Sequence, residues 1–241
     1  MASWQIVWSP DSAVIAIVRP GVTVWDSTSG DLVWSLDAET NDGCGPDSVI
    51  FVGKSMLLNC ASDGSLLSVS TTTWEHSQIP MAGPGGSLAG ITPDDRFMLR
   101  VLNASSFGAG SLEWIDLETF EVVASIEQIH DGAPKSHAMS PDRRLLATGS
   151  SDGFVKVWDT VDRRLVQEIF VAPTQIQGLG FVDDRHLGVA PQSGSMLVYT
   201  LDAEELVDIV GSSLLRGFTS AECARFDFGA DCPTLEDLKA G

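Results

Sequence analysis

The residues able to do chemistry are few, and their spacing limits what they can do. Four histidines stand at positions 76, 130, 137 and 186. None is paired with a cysteine or a second histidine at the short separations that a tetrahedral zinc site uses. The richest group of polar candidates is His130, Thr148, Ser150, Asp152 and Trp158. A histidine, an acid and a hydroxyl in one stretch admit a hydrolase triad. They also admit a buried polar network that satisfies its own donors and fixes a hairpin. The glycine-rich stretch "MAGPGGSLAG" (81–90) has no lysine and leads into a strand, so it lacks the parts of a phosphate cradle. No catalytic group, metal or cofactor is expected.

The elements that must position these residues are short apolar runs rich in Val, Ile and Leu, divided at intervals by Gly and Pro. That is the pattern of many strands joined by tight turns, and the expected class is all-β. Five segments align: "WSPDS" (8–12), "FVGKS" (51–55), "ITPDD" (91–95), "MSPDR" (139–143) and "FVDDR" (181–185), at steps of 43, 40, 48 and 42 residues. A period of about 40 to 45 residues with several strands per unit predicts a β-propeller, because one blade cannot bury its faces until neighbours stack on it. The units span about 4–36, 48–79, 87–126, 135–170 and 174–201 within a propeller region of 1–202.

In the fourth unit "SHAMS" is the inner strand, "RLLATG" the second and "FVKVW" the third. Asp152-Gly153 between the last two predicts a two-residue type I′ hairpin. Asp162 to Arg164 then turn the chain into "LVQEIF".

These residues resemble WD40 repeats. The matches "SPDRRLLATGSSDGFVKVWD" (140–159) and "SPDSAVIAIVRPGVTVWD" (9–26) are strong, and the other three units are recognised by spacing. Signature positions are Trp25, Asp26, Asp63, Asp116 and Asp159. The resemblance implies that His130, Thr148 or Ser150, Asp152 and Trp158 form a buried hydrogen-bonded set in the fourth unit alone, structural and not catalytic. The longer excursion "NASSFGAGS" (103–111) offers Phe107 as a candidate partner anchor.

After residue 202 strand alternation gives way to helical spacing at Leu206, Val207, Ile209, Val210, Leu214 and Leu215, and Thr219 with Glu222 forms a capping box. This helical tail, 203–241, is similar to the Cys-containing tail that follows WD repeats in some large bacterial multidomain signalling proteins. Cys223 and Cys232 could join as a disulfide or stand as two thiols, while Cys44 and Cys60 sit singly in a loop and a strand. The fifth unit passes into the helix without a fourth strand, so the repeats read as the C-terminal part of a larger propeller, with missing N-terminal blades or self-association covering the open faces.

Fourteen Lys and Arg against 33 Asp and Glu give a net charge of -19. Phosphate backbones and anionic membranes are repelled by such a surface, so neither nucleic acid nor membrane is an expected partner. The N-terminus has no basic segment followed by an apolar one, which predicts a cytoplasmic protein. The expected function is a non-catalytic scaffold or regulatory module that binds a protein partner or another domain of a larger signalling protein. The alternatives are a ligand-sensing domain of a fused bacterial regulator and a propeller hydrolase or lyase.

Overall fold

The computed structural model describes residues 5–19, 21–37, 45–60, 64–81, 86–102 and 109–213. Five antiparallel sheets follow one another along the chain, each with its strands in sequence order. Blade 1 holds β1 (Gln5–Trp8), β2 (Val14–Arg19), β3 (Gly21–Asp26) and β4 (Leu32–Leu36), and blade 2 holds β5 (Pro46–Val52), β6 (Ser55–Cys60), β7 (Leu66–Ser70) and β8 (His76–Ile79). Blade 3 is β9 (Ser87–Ile91), β10 (Phe97–Leu102), β11 (Ser111–Asp116) and β12 (Val122–Glu127). Blade 4 is β13 (Pro134–Met139), β14 (Leu145–Ser150), β15 (Phe154–Asp159) and β16 (Arg164–Phe170). Blade 5 has three strands, β17 (Ile176–Phe181), β18 (His186–Pro191) and β19 (Leu197–Thr200), after which the chain enters α1 (Ala203–Ser213). The fold is the expected all-β propeller of five blades with a short C-terminal helix.

The repeated turn residues do identical work in successive blades. Ser9, Thr92 and Ser140 each donate a hydroxyl to Asp11, Asp94 and Asp142 at 2.5 to 2.6 Å, closing the turn between first and second strands. The acid at the end of the third strand, after Trp25, Ile115 or Trp158, closes the outer turn. Asp26 accepts the amides of Thr28 and Ser29, Asp116 those of Glu118 and Thr119, and Asp159 those of Val161 and Asp162. Ser70 replaces it in blade 2 and accepts from Thr72 and Thr73. Four residues beyond each of these positions the chain takes a positive φ, at Gly30, Trp74, Phe120 and Arg163. With the carboxylate or hydroxyl holding the turn, even bulky residues accept that conformation.

Four apolar layers lie between successive blades. Ala16, Val18 and Val24 of blade 1 meet Met56, Leu58 and Val69 of blade 2. Leu57 meets Met98 and Ile115, Leu99 and Trp114 meet Leu146 and Trp158, and Ala147 and Val157 meet Leu187 and Val189. Trp114 crosses its layer to donate Nε1–H to the Thr160 carbonyl at 2.8 Å.

Two expectations are corrected. The turn between β14 and β15 is not type I′, because Gly153 has φ 86° while Asp152 stays at negative φ. The Asp152 carboxylate instead accepts the Phe154 amide at 2.9 Å and so shapes a three-residue connection. Cys60, read as sitting singly in a strand, is buried and disulfide-bonded. The other cysteines, Cys44, Cys223 and Cys232, lie outside the described residues, as do the capping-box residues Thr219 and Glu222.

Helix α1 is capped by Asp202, whose carboxylate accepts the amides of Glu204 and Glu205. It is held to blade 5 by His186, whose ring lies between Asp183 and Glu205.

At Gly153 an added Cβ would stand 1.8 Å from the Ala172 carbonyl oxygen, whereas at Gly30, with φ 74°, it would meet nothing within 4 Å. Gly30→Ala is expected to cost about 1 to 2 kcal/mol from backbone strain alone. Gly153→Ala should cost about 2 to 4 kcal/mol or more, since strain and a backbone clash combine. Denaturant unfolding of both variants against the parent chain measures the difference.

Candidate functional site

Two sites follow from the placement of polar side chains. The first is the set of blade 4. Trp158 donates Nε1–H to Thr148 Oγ1 at 2.9 Å, and Thr148 Oγ1 lies 2.9 Å from His130 Nε2. His130 Nδ1 lies 3.3 Å from Asp152 Oδ2, within ion-pair reach but outside hydrogen-bond alignment. A carboxylate only accepts, so the compatible tautomer carries its proton on Nδ1 and receives the Thr148 hydroxyl at Nε2. Ser150 stands aside from this relay and accepts the Asp152 amide at 3.3 Å.

Burial lowers the His130 pKa and outweighs the pull of Asp152, so the ring is held neutral. Burial opposes ionisation of Asp152, yet its carboxyl is held below the usual range by the Phe154 amide, His130 and the Gly132 amide. His130, Thr148 and Trp158 are closed off from solvent, at 0 to 4% exposure, so no substrate reaches the hydroxyl. The arrangement ties the blade's entry loop to its hairpin.

Blade 3 solves the same position differently. Arg100 occupies the place of Thr148 and Glu113 that of Lys156, and the guanidinium donates through Nε and Nη2 to Glu113 Oε2 at 2.9 and 2.7 Å. Arg100 is completely buried. No sequence signal marked it, because an arginine in a strand reads as a solvated position until its neighbours are known.

The second site is a central channel of about 1220 Å³ walled by the five innermost strands. Three of those strands carry a β-bulge at one register: Pro46 and Ser48, Pro134 and Ser136, and Ile176 and Gly178 pair with consecutive residues of the next strand. The extra residues, Asp47, Lys135 and Gln177, all line the channel. A bulge re-aims the residue it leaves unpaired. Asp47 Oδ1 accepts from Asn59 Nδ2 at 3.0 Å and Ser48 Oγ at 3.1 Å, and burial raises its pKa against those bonds. The recurrence of Pro-x-Ser at 46–48 and 134–136 is the signal that could have found the site in the sequence.

Among the signature residues, Trp25 donates to Thr23 within its own strand and not to a second-strand hydroxyl, so blade 1 lacks the relay of blade 4. Asp26, Asp116 and Asp159 hold the outer turns. Asp63 and Phe107 lie outside the described residues, as do Cys223 and Cys232. Among the described residues no cluster of His, Cys, Asp and Glu has the geometry to hold a metal. No described helix is long and apolar enough to cross a membrane.

No protein-family model matches the chain. A WD repeat-containing protein 55 homolog of Dictyostelium discoideum is 27% identical over 99 residues, 41% of this chain and 24% of the relative. The small ribosomal subunit protein RACK1 of Schizosaccharomyces pombe is 28% identical over 123 residues, 50% of this chain and 38% of the relative. Both matches thus span well under half of the relatives' own lengths. Over these stretches the chain is similar to WD repeat proteins, and its five-bladed propeller agrees with that likeness. The Ser/Thr-x-Asp turns, the Trp-Asp ends and the blade 4 relay are the WD40-like features of the five-bladed fold.

Thr148→Val is expected to leave Trp158 and His130 unpaired and to cost about 1 to 3 kcal/mol, measured by equilibrium unfolding. The pH dependence has a definite sign. His130 and His137 are both depressed from 6.5, first by burial, so the unfolded chain binds protons that the folded one refuses. Their contribution is fully present above the ordinary imidazole range and is lost as pH falls through it. Thermal midpoints recorded from neutral pH down to about 5 should therefore decrease before the carboxylates titrate. His186 acts oppositely, raised by the hydrogen bonds its ring donates to Asp183 and then to Glu205.

Proposed function

We propose that this propeller is a non-catalytic protein-interaction scaffold or regulatory module that receives its partner at the mouth of the central channel. The supporting observation is the shared bulge that turns Asp47, Lys135 and Gln177 toward the channel. An acid, a base and an amide on stiff inner strands can recognise a polar segment with little ordering entropy. The partner is a protein, or another domain of a larger signalling chain. One relative is named as a small ribosomal subunit protein. Because a charge of -19 repels phosphate backbones, the part of such a role that carries over is contact with protein.

A second reading is a ligand-sensing domain of a fused bacterial regulator, favoured by the channel's volume of about 1220 Å³. A hydrolase or lyase in that channel has less support, since His137 is engaged at Nε2 with the Leu88 carbonyl at 3.1 Å. The tail, 203–241, would link the propeller to the rest of such a regulator. We place the protein in the cytoplasm, where the burial of Cys60 would keep its disulfide from thiol reductants.

Affinity capture with the parent chain and with an Asp47→Ala, Lys135→Ala, Gln177→Ala triple variant tests the site. The expected outcome is a specific protein retained by the first and lost by the second, with unfolding midpoints unchanged. Equal retention by both would move binding away from the channel mouth, and turnover of a small molecule dependent on the channel would replace the scaffold reading with an enzyme.

A further inference from the structure

Helix α1 meets the body of blade 5 at one side chain that titrates. The ring of His186, the first residue of β18, lies between two carboxylates, with Nδ1 2.9 Å from Asp183 Oδ1 and Nε2 3.1 Å from Glu205 Oε1. A carboxylate only accepts, so both contacts are hydrogen bonds at once only when both ring nitrogens carry protons. A neutral ring must turn one lone pair toward a carboxylate and lose that bond.

The two carboxylates differ in their freedom to respond. Asp183 also accepts the amides of Arg185 and His186, each at 2.8 Å, and is fixed within its own turn. Glu205 stands in the first turn of α1, so it is the partner that can withdraw. The other charged groups where these elements meet are Asp184 and Arg185 in the turn before β18, and Asp202, Glu204 and Asp208 at the cap and along the helix. From β19 the Thr200 hydroxyl donates to Glu205 at 2.9 Å. Asp184 accepts the Asp142 amide of blade 4, and Arg185 is engaged with Asp202 at 2.8 Å. Among the described residues His186 is therefore the one cation that reaches Glu205. Apolar contact does little to replace it, because Leu206 and Val207 are 49% and 52% exposed. A helix of 11 residues is also too short to persist in water unaided.

We propose that His186 is a pH-sensitive clasp, whose doubly protonated ring docks α1 on blade 5 and whose loss of the Nε2 proton releases the helix. The sign follows from the two partners. Asp183 first, and then Glu205, raise the imidazole above its ordinary 6.5, so the contribution of the contact is fully present below that value and is lost as pH rises through the raised one. At the acid end the clasp lasts until the carboxyls protonate, and both are held below their usual range, Asp183 first by the Arg185 amide and Glu205 first by His186. The clasp is thus closed at mildly acidic pH and opens toward alkaline pH. It lies outside the residues that wall the channel, so it is independent of the partner-binding reading.

NMR of the full chain between about pH 5.5 and 9 tests the clasp, reading the His186 ring nitrogens together with the Cα shifts of Glu204 to Asp208. The β14 amides record that the propeller stays folded. In the parent chain the helical shifts of α1 should fall by about half or more as Nε2 deprotonates, with a midpoint above 6.5. His186→Ala should leave α1 released throughout. Glu205→Gln should reverse the dependence, since the new amide can donate to a neutral Nε2 and not to a protonated one, a reversal that a merely structural contact would not give. A parent helix equally formed across the range overturns the proposal. So does the parent's pH profile persisting in His186→Ala, or a Glu205→Gln helix that fails to form at high pH.

Discussion

The structure depends on the burial of one sheet face against the next. A single four-stranded blade has apolar side chains on both sides, so it gains its core only as part of a stack. Alternation along each strand assigns those side chains: Ala16 and Val24 turn toward blade 2, while Ile15 and Trp25 turn the other way. Every internal interface repeats that assignment.

Stacking would leave backbone groups of the inner strands near a channel, and polar side chains of neighbouring blades meet several of them. The Val49 amide reaches Gln5, the Leu88 amide reaches Ser48, His137 bonds the Leu88 carbonyl and Ser136 bonds that of Ile176. These cross-blade bonds set the relative height of adjacent strands. They also make the channel wall rigid, which is why the bulged residues Asp47, Lys135 and Gln177 are presented by a fixed frame.

The polar set of blade 4 and the Arg100–Glu113 pair of blade 3 show how one register serves two chemistries. In blade 4 a neutral histidine and a hydroxyl connect the tryptophan to the hairpin acid. In blade 3 a buried ion pair fills the space. Neither arrangement offers a group to solvent.

The sequence alone determined the repeat, the all-β class and the turns that carry a hydroxyl-acid or Trp-Asp pair, because those spacings act through neighbours only a few residues away. It also marked His130, Thr148, Asp152 and Trp158, since their repeat positions imply a common neighbourhood. Whether Thr148 or Ser150 received the tryptophan was decided by strand register: Trp158 pairs with Leu146, so Thr148 is the nearer hydroxyl on the same face. The same register gave Arg100 a buried partner and formed the bulges that gather residues 47, 135 and 177 around one channel. The channel grouping belongs to the tertiary structure because it joins side chains about 40 or more residues apart, and periodicity along one chain carries no measure of which way a bulged residue turns.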